Sequence, residues 1–223
     1  MNIKLIFELL LKLLLGLILM SLTLFIPANT IKYWNAWLFI ILLFIPIIIT
    51  SISLLIKAPN LLKSRLNIKE KEQDQKKVVI LSSIMFLAGF IIAGLNYRLN
   101  WILLPNIIVV IASIIFLLSY LLYAEVLREN AFLSRTIEVK KEQKVIKTGL
   151  YKIVRHPMYF STLVLFLSIP LILGSLISFI IFLIYPFIII KRIKSEEQVL
   201  EKKLKGYKEY QKQVKYRLIP YIW

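Results

Sequence analysis

Cysteine is absent from this 223-residue chain, and histidine occurs once. The first absence excludes a disulfide framework, thiolate zinc and iron–sulfur sites, a cysteine nucleophile and lipidation through a thiol. The single histidine excludes a multi-histidine centre, so no metal site is expected. Acidic residues are scarce as well: 12 Asp+Glu stand against 29 Lys+Arg, a formal net charge of +17. Charged residues make up only 18% of the chain and hydrophobic ones 59%. Soluble domains are roughly 45–50% apolar and about 25% charged, so this balance points to a chain whose solvent is partly lipid. Nucleic acid is not expected as a partner, because basic residues interleaved with apolar runs are accounted for by membrane topology.

Long apolar runs are what the chain does have. A spanning helix needs about 20 predominantly apolar residues, and residues 5–27, 37–56, 78–96 and 101–124 supply four such runs. Glu8 and Lys12 in the first are spaced i,i+4 in the favourable order for a helix pair. That run reads as a retained span, since the residues after it, Pro27-Ala-Asn-Thr30, make a poor cleavage site. A fifth region, 158–190, is too long for one crossing and reads as a hairpin broken at Gly174-Ser175, with Pro170 and Pro186 placed to kink its two short legs.

Loop charge gives the same count. Residues 57–77 carry seven Lys+Arg, 125–157 carry eight and 191–223 carry ten, whereas the intervening connections carry one or none. Basic residues near span ends stay on the cytoplasmic side, and six spans with both termini inside put 26 of the 29 there. The expectation is an all-α polytopic membrane protein of about six transmembrane helices, ending in a helical hairpin and a cytoplasmic amphipathic helix. Residues 1–130 form its N-terminal transmembrane part and residues 131–223 the part that carries chemistry. No internal repeat is visible, and ionisable residues are nearly absent from the span cores, which disfavours a duplicated transporter or a proton relay.

The working polar residues gather late. Gly149-Leu-Tyr-Lys-Ile-Val-Arg-His-Pro-Met-Tyr159 places two tyrosines, Arg155 and the lone His156 directly before the hairpin. Pro157 suits a first helical turn, which puts Arg155 and His156 at a helix N-terminus that favours anionic groups. The competing reading is topological charge with an interfacial histidine. After the hairpin, Ile193, Leu200, Leu204, Tyr207 and Val214 recur at helical spacing, with Gly206 the weak point of that helix. Glu196 and Glu197 lie among these apolar positions. They are read either as a surface pairing of Arg192 with Glu196 or as carboxylates aimed at a ligand.

Taken together, Gly-x-Tyr-x-x-x-Arg-His-Pro-x-Tyr, a hairpin, Arg-x-x-x-Glu-Glu, Gly-Tyr-x-x-Tyr and a late Leu-Ile-Pro resemble the isoprenylcysteine carboxyl methyltransferase family in its prokaryotic branch, and in part related phospholipid methyltransferases. The motifs cover about 143–220, with weaker likeness at Ala93–Arg98 and Arg128–Phe132. The resemblance implies methyl transfer from S-adenosylmethionine at the cytoplasmic membrane face, to the carboxylate of a lipophilic, isoprenoid-like acceptor. Val145, Ile146, Tyr151, Arg155, His156, Pro157, Met158, Tyr159 and Glu196 would bind the cofactor. Arg192 would face the substrate carboxylate, and Glu197 would act beside it or exchange roles with Glu196. Two departures are Ser161 where glycine is common and Gln143 where the eukaryotic pattern has histidine. Implied partners are a lipophilic small molecule or lipid and the surrounding membrane lipids. A phospholipid amine as acceptor, or a non-catalytic or reductase relative of the same architecture, are the competing readings.

Overall fold

The structure is a computed structural model that describes residues 3–67, 73–134, 136, 139 and 142–223, residues 73 and 74 by their backbone alone. Among the described residues there are nine α-helices and one 3-10 turn: α1 (Ile3–Ala28), α2 (Trp34–Lys57), α3 (Pro59–Leu66), α4 (Gln73–Leu99), α5 (Asn106–Glu129), the turn Gly149–Lys152, α6 (Pro157–Ile172), α7 (Leu176–Phe182), α8 (Tyr185–Lys203) and α9 (Tyr207–Gln213). Five helical runs are long and apolar enough to cross a membrane: α1, α2, residues 75–99 of α4, α5, and Leu176–Lys203, which joins α7 to α8. The sixth expected span is α6, at 16 residues a helix of about 24 Å.

The exposed surface is itself apolar. Phe7, Leu10, Leu14 and Leu19 on α1, Ile41, Ile45, Ile49 and Ile52 on α2, and Ile107, Ile114, Leu118 and Leu121 on α5 are all exposed. A soluble monomer rarely shows a contiguous apolar patch larger than a few hundred Å², whereas in a bilayer this belt faces its own solvent. The protein is an integral membrane protein.

Several boundaries differ from the sequence reading for local reasons. The fourth span begins at Asn106 rather than 101 and continues to Glu129. Asn100 takes a positive φ of 50° and Pro105 sits at the N-cap. The Asn96 side chain accepts the Ile102 N–H at 3.1 Å and donates to its carbonyl at 3.2 Å, which closes 100–105 into a loop. The hairpin does turn at Gly174, whose φ is +70°. Its second leg is divided: Pro186 does not kink a continuous helix but lies in the first turn of α8, because an interior proline would collide with the carbonyl four residues earlier. The expected tail helix is also two pieces, since α8 ends at Lys203 and Gly206, at φ +85°, precedes α9.

Polar groups inside the bundle are spent on helix ends. The last turn of α6 leaves carbonyls without intrahelical partners, and two side chains at the start of α2 reach them: Tyr33 Oη donates to the Leu173 carbonyl at 2.6 Å and Asn35 Nδ2 to that of Ile172 at 2.9 Å. Ser178 Oγ donates across to the Gly89 carbonyl at 2.8 Å. At the opposite end Lys12 pairs with Glu8 at 2.6 Å, as the i,i+4 spacing implies, and also reaches the Leu66 carbonyl, tying α3 to α1. The core between these ends is aromatic, with the Phe86 ring set edge-on to Phe166 and Phe182.

α1 and α4 approach closely at Gly94, where a Cβ would stand 2.6 Å from the Leu24 carbonyl oxygen. Backbone oxygen cannot swing aside as a side-chain tip can. Gly94→Ala is therefore expected to destabilise the protein by about 1–3 kcal/mol, seen as a lowered melting temperature in detergent, while Gly16→Ala, whose Cβ would meet nothing nearer than 4.0 Å, leaves it unchanged.

Candidate active site

One buried carboxylate organises the end of the hairpin away from the Gly174 turn. Glu197 lies on α8 past residue 190, where the apolar run ends, and is 3% exposed. Its Oε1 accepts from Arg155 Nε at 2.7 Å and lies 3.2 Å from His156 Nε2, while its Oε2 accepts from Arg217 Nε at 2.7 Å. Burial by itself would raise this carboxyl. The hydrogen bonds from His156, Arg155 and Arg217 outweigh it and hold the group at about 2. Arg155 extends the tie: Nη1 donates to the carbonyls of Val214 and Lys215 at 2.8 and 2.9 Å. The backbone N–H groups of Arg155 and His156 donate to the Tyr216 and Arg217 carbonyls, each at 2.9 Å. The start of α6, the middle of α8 and the C-terminal tail are thus one locked unit.

A second set of contacts shapes the loop before α6. Both Glu129 carboxylate oxygens accept the Leu150 N–H, at 2.9 and 3.1 Å. Gly149 makes room for them: its φ is +56°, and a Cβ would fall 1.8 Å from Glu129 Oε1. Asn130 Nδ2 then donates to Tyr151 Oη at 3.0 Å, and Tyr210 Oη donates to the Tyr151 carbonyl at 2.6 Å.

Between these two locks lies a cleft of about 780 Å³, including its open mouth. Val145, Ile146, Tyr151, Arg155, His156, Met158, Tyr159 and Glu196 all line it. Pro157 does not. It is buried at the first position of α6 and fixes where that helix starts. Of the two adjacent glutamates, Glu196 lines the cleft. Glu197 is about 100° further round the helix and is occupied by Arg155, His156 and Arg217.

A larger, more apolar chamber of about 1660 Å³, again counting open space, adjoins the cleft. Ser134, Met158 and Tyr159 line both. Arg192 lines the chamber rather than the cleft. The two spaces are linked by a short polar chain in which Arg192 Nε donates to Tyr159 Oη at 3.0 Å and Tyr159 Oη donates to Glu196 Oε2 at 2.5 Å.

Two groups in these walls were not singled out as site residues from the sequence. Tyr207 lines the cleft, and its hydroxyl is buried without a hydrogen-bond partner. Burial first, then the charges of Glu197 and Glu196, push that phenol well above its ordinary range, so it remains a neutral donor. In the sequence it is an apolar position of an amphipathic helix and the first tyrosine of the Gly-Tyr-x-x-Tyr motif, neither of which assigns it a contact. Arg65 of α3 lines the chamber. It had been read as topological charge, and no sequence pattern separates it from Lys63 or Lys57.

The segment that builds most of both walls runs from α5 to the end of α8, and a known family matches that segment. Residues 109–202 match the isoprenylcysteine carboxyl methyltransferase family. The match takes in Val145 to Tyr159 of the cleft, Arg192 of the chamber and both glutamates, and stops before Tyr207. A delta(14)-sterol reductase of Mus musculus is 32% identical to the chain over 91 residues, which are 40% of the chain and 22% of that protein. The likeness therefore covers about a fifth of that relative's length.

The Glu197 cluster yields a test. A carboxyl held below its ordinary 4.5 contributes stability that is complete above that pH and is lost as pH falls toward about 2. Glu197→Gln strands the buried guanidinium of Arg155 and is expected to cost about 3–5 kcal/mol at neutral pH. In thermal melts across pH 7 to pH 3, the wild-type advantage over this variant should hold down to about pH 5 and shrink below it.

Proposed function

We propose that this protein is a membrane methyltransferase that transfers the methyl group of S-adenosylmethionine to the carboxylate of a lipophilic acceptor, with the reacting groups meeting at the cytoplasmic end of the hairpin. The observation that carries the reading is the Tyr207 hydroxyl, a buried donor with no partner, in the same wall as the Glu196 carboxylate. An unpaired buried hydroxyl costs about 1–3 kcal/mol, and a polar ligand in the cleft removes that cost. The rest of the lining fits this cofactor. Glu196 offers a carboxylate to a cationic or hydroxyl-bearing group, Lys144 a cation to a carboxylate, and Leu133, Val145, Ile146 and Leu200 apolar walls to a purine.

When bound, S-adenosylmethionine supplies an electrophilic methyl group on a sulfonium, for in-line displacement by an oxygen already ionised at neutral pH. The chain's work is then positioning. Tyr159 and Met158 stand where cleft and chamber meet and exclude water from that boundary. Arg192 holds an acceptor carboxylate on the chamber side and is itself oriented through Tyr159. Arg155 and His156 keep Glu197 in place, and through it the relation of α6 to α8, so Glu197 positions rather than reacts. The family match supports methyl transfer. The partial likeness to a protein named as a sterol reductase supports a lipophilic substrate.

Calorimetric titration of the detergent-purified protein with S-adenosylhomocysteine tests this. Saturable binding is expected, weakened at least tenfold in Glu196→Ala and several-fold in Tyr207→Phe, with no heat from NADPH. Binding of NADPH without S-adenosylhomocysteine would favour a reductase and overturn the proposal.

A further inference from the structure

The turn that carries Tyr151 is held at three points. The Leu150 N–H donates to both carboxylate oxygens of Glu129, and the Tyr151 carbonyl accepts the Tyr210 hydroxyl at 2.6 Å. At the far end of the side chain, Asn130 Nδ2 meets Tyr151 Oη at 3.0 Å. The first two contacts fix where the ring stands, and the third decides which way its hydroxyl proton points.

That direction follows from Asn130, the residue directly after α5. Its Oδ1 accepts the Phe132 backbone N–H at 3.0 Å. A backbone N–H can only donate, so the amide cannot be turned over and its NH2 faces the phenol. The amide nitrogen offers no lone pair, and the Tyr151 oxygen therefore receives this bond and must send its own proton elsewhere. Among the described residues no group accepts that proton. The nearby Glu196 carboxylate takes its hydrogen bond from Tyr159 instead. Burial raises the phenol by more than the Asn130 bond lowers it, so Tyr151 stays protonated. Asn130 and Tyr151 both line the cleft.

We infer that Asn130 is a positioning residue for cofactor binding: by donating to Tyr151 Oη it turns the phenol O–H into the cleft, where it donates to a lone-pair atom of the bound S-adenosyl ligand. The inference rests on the methyltransferase reading and adds to it a second phenol donor beside Tyr207. Asn130 acts through Tyr151 by setting the polarity of one hydrogen bond. Aspartate has nearly the same shape and keeps an acceptor for the Phe132 N–H. Its other oxygen, however, accepts from the phenol and draws the proton out of the cleft. Alanine gives up both bonds and leaves the phenol free to donate.

Titration of detergent-purified variants with S-adenosylhomocysteine tests this, with a thermal melt of each to show that it is folded. Tyr151→Phe is expected to weaken binding about fivefold, the worth of one hydrogen bond. Asn130→Asp should lose at least as much and Asn130→Ala clearly less. In the Tyr151→Phe background the two Asn130 variants should bind alike, because no phenol proton is left to redirect. A new charge acting directly on the ligand would still separate them there. Unchanged affinity in Tyr151→Phe overturns the inference, whether or not Asn130→Asp folds. So does equal binding by folded Asn130→Asp and Asn130→Ala, since Asn130 would then serve only the shape of its loop, and so does a difference between them that survives in Tyr151→Phe. Failure of wild type to bind S-adenosylhomocysteine at all would instead sink the methyltransferase reading.

Discussion

The arrangement of the candidate site depends on one buried carboxylate. Glu197 meets Arg155, His156 and Arg217, which come from the start of α6 and from the C-terminal tail. An isolated carboxylate is expensive to withdraw from water, and only a dense set of donors makes its burial tolerable. The set is dense here because the donors are themselves fixed. Arg155 is held by two tail carbonyls, and the Arg217 guanidinium lies 5.3 Å over the Trp223 ring. Removing any one member leaves others without partners, so the unit behaves as a whole.

That rigidity sets the relation between two unlike spaces. The cleft has a mixed polar and apolar wall, and the chamber is mainly apolar with arginines at one end. Only a few side chains separate them, and Tyr159 is the one with a polar group bonded on both sides. The methyl transfer proposed above would require this arrangement: two solvents, and one narrow contact between the bound groups. α6 supplies that contact from its first turn. Its short length matters, because the helix begins at Pro157 with its N-terminus drawn in among the site residues.

The hydrocarbon belt does different work. α1, α2 and α5 turn many large apolar residues outward, and little of their length is buried. α1 and α2 are held to the rest of the bundle by close approaches such as that of α4 Gly94 to α1 and by polar caps such as Tyr33 and Asn35 on the end of α6, as expected where lipid removes the hydrophobic drive between helices. α3 belongs to neither group. It carries Arg65 to the chamber from a short helix tied to α1 through Lys12.

Composition and run length by themselves determined the all-helical membrane class, the places of the long helices and the hairpin turn at Gly174. Those properties follow from local hydrophobicity and from the few residues that punctuate a helix. The family resemblance carried by Tyr151, Arg155, His156, Tyr159 and Glu196 also marked the region where the cleft lies. What the sequence could not decide was direction. Glu196 and Glu197 are neighbours of identical chemistry, and only the turn of α8 against the tail sends one to the cleft and the other between Arg155, His156 and Arg217. Tyr207 stood in the apolar stripe and in the Gly-Tyr-x-x-Tyr motif, but neither assigned it a role until the fold buried its hydroxyl without a partner. Arg65, 127 positions before Arg192, is one of seven basic residues in its loop, and it joined the chamber only when the fold brought its side chain to Tyr123 of α5 and Met158 of α6. Such roles depend on which long-range neighbours a side chain meets, and tertiary packing alone chooses them.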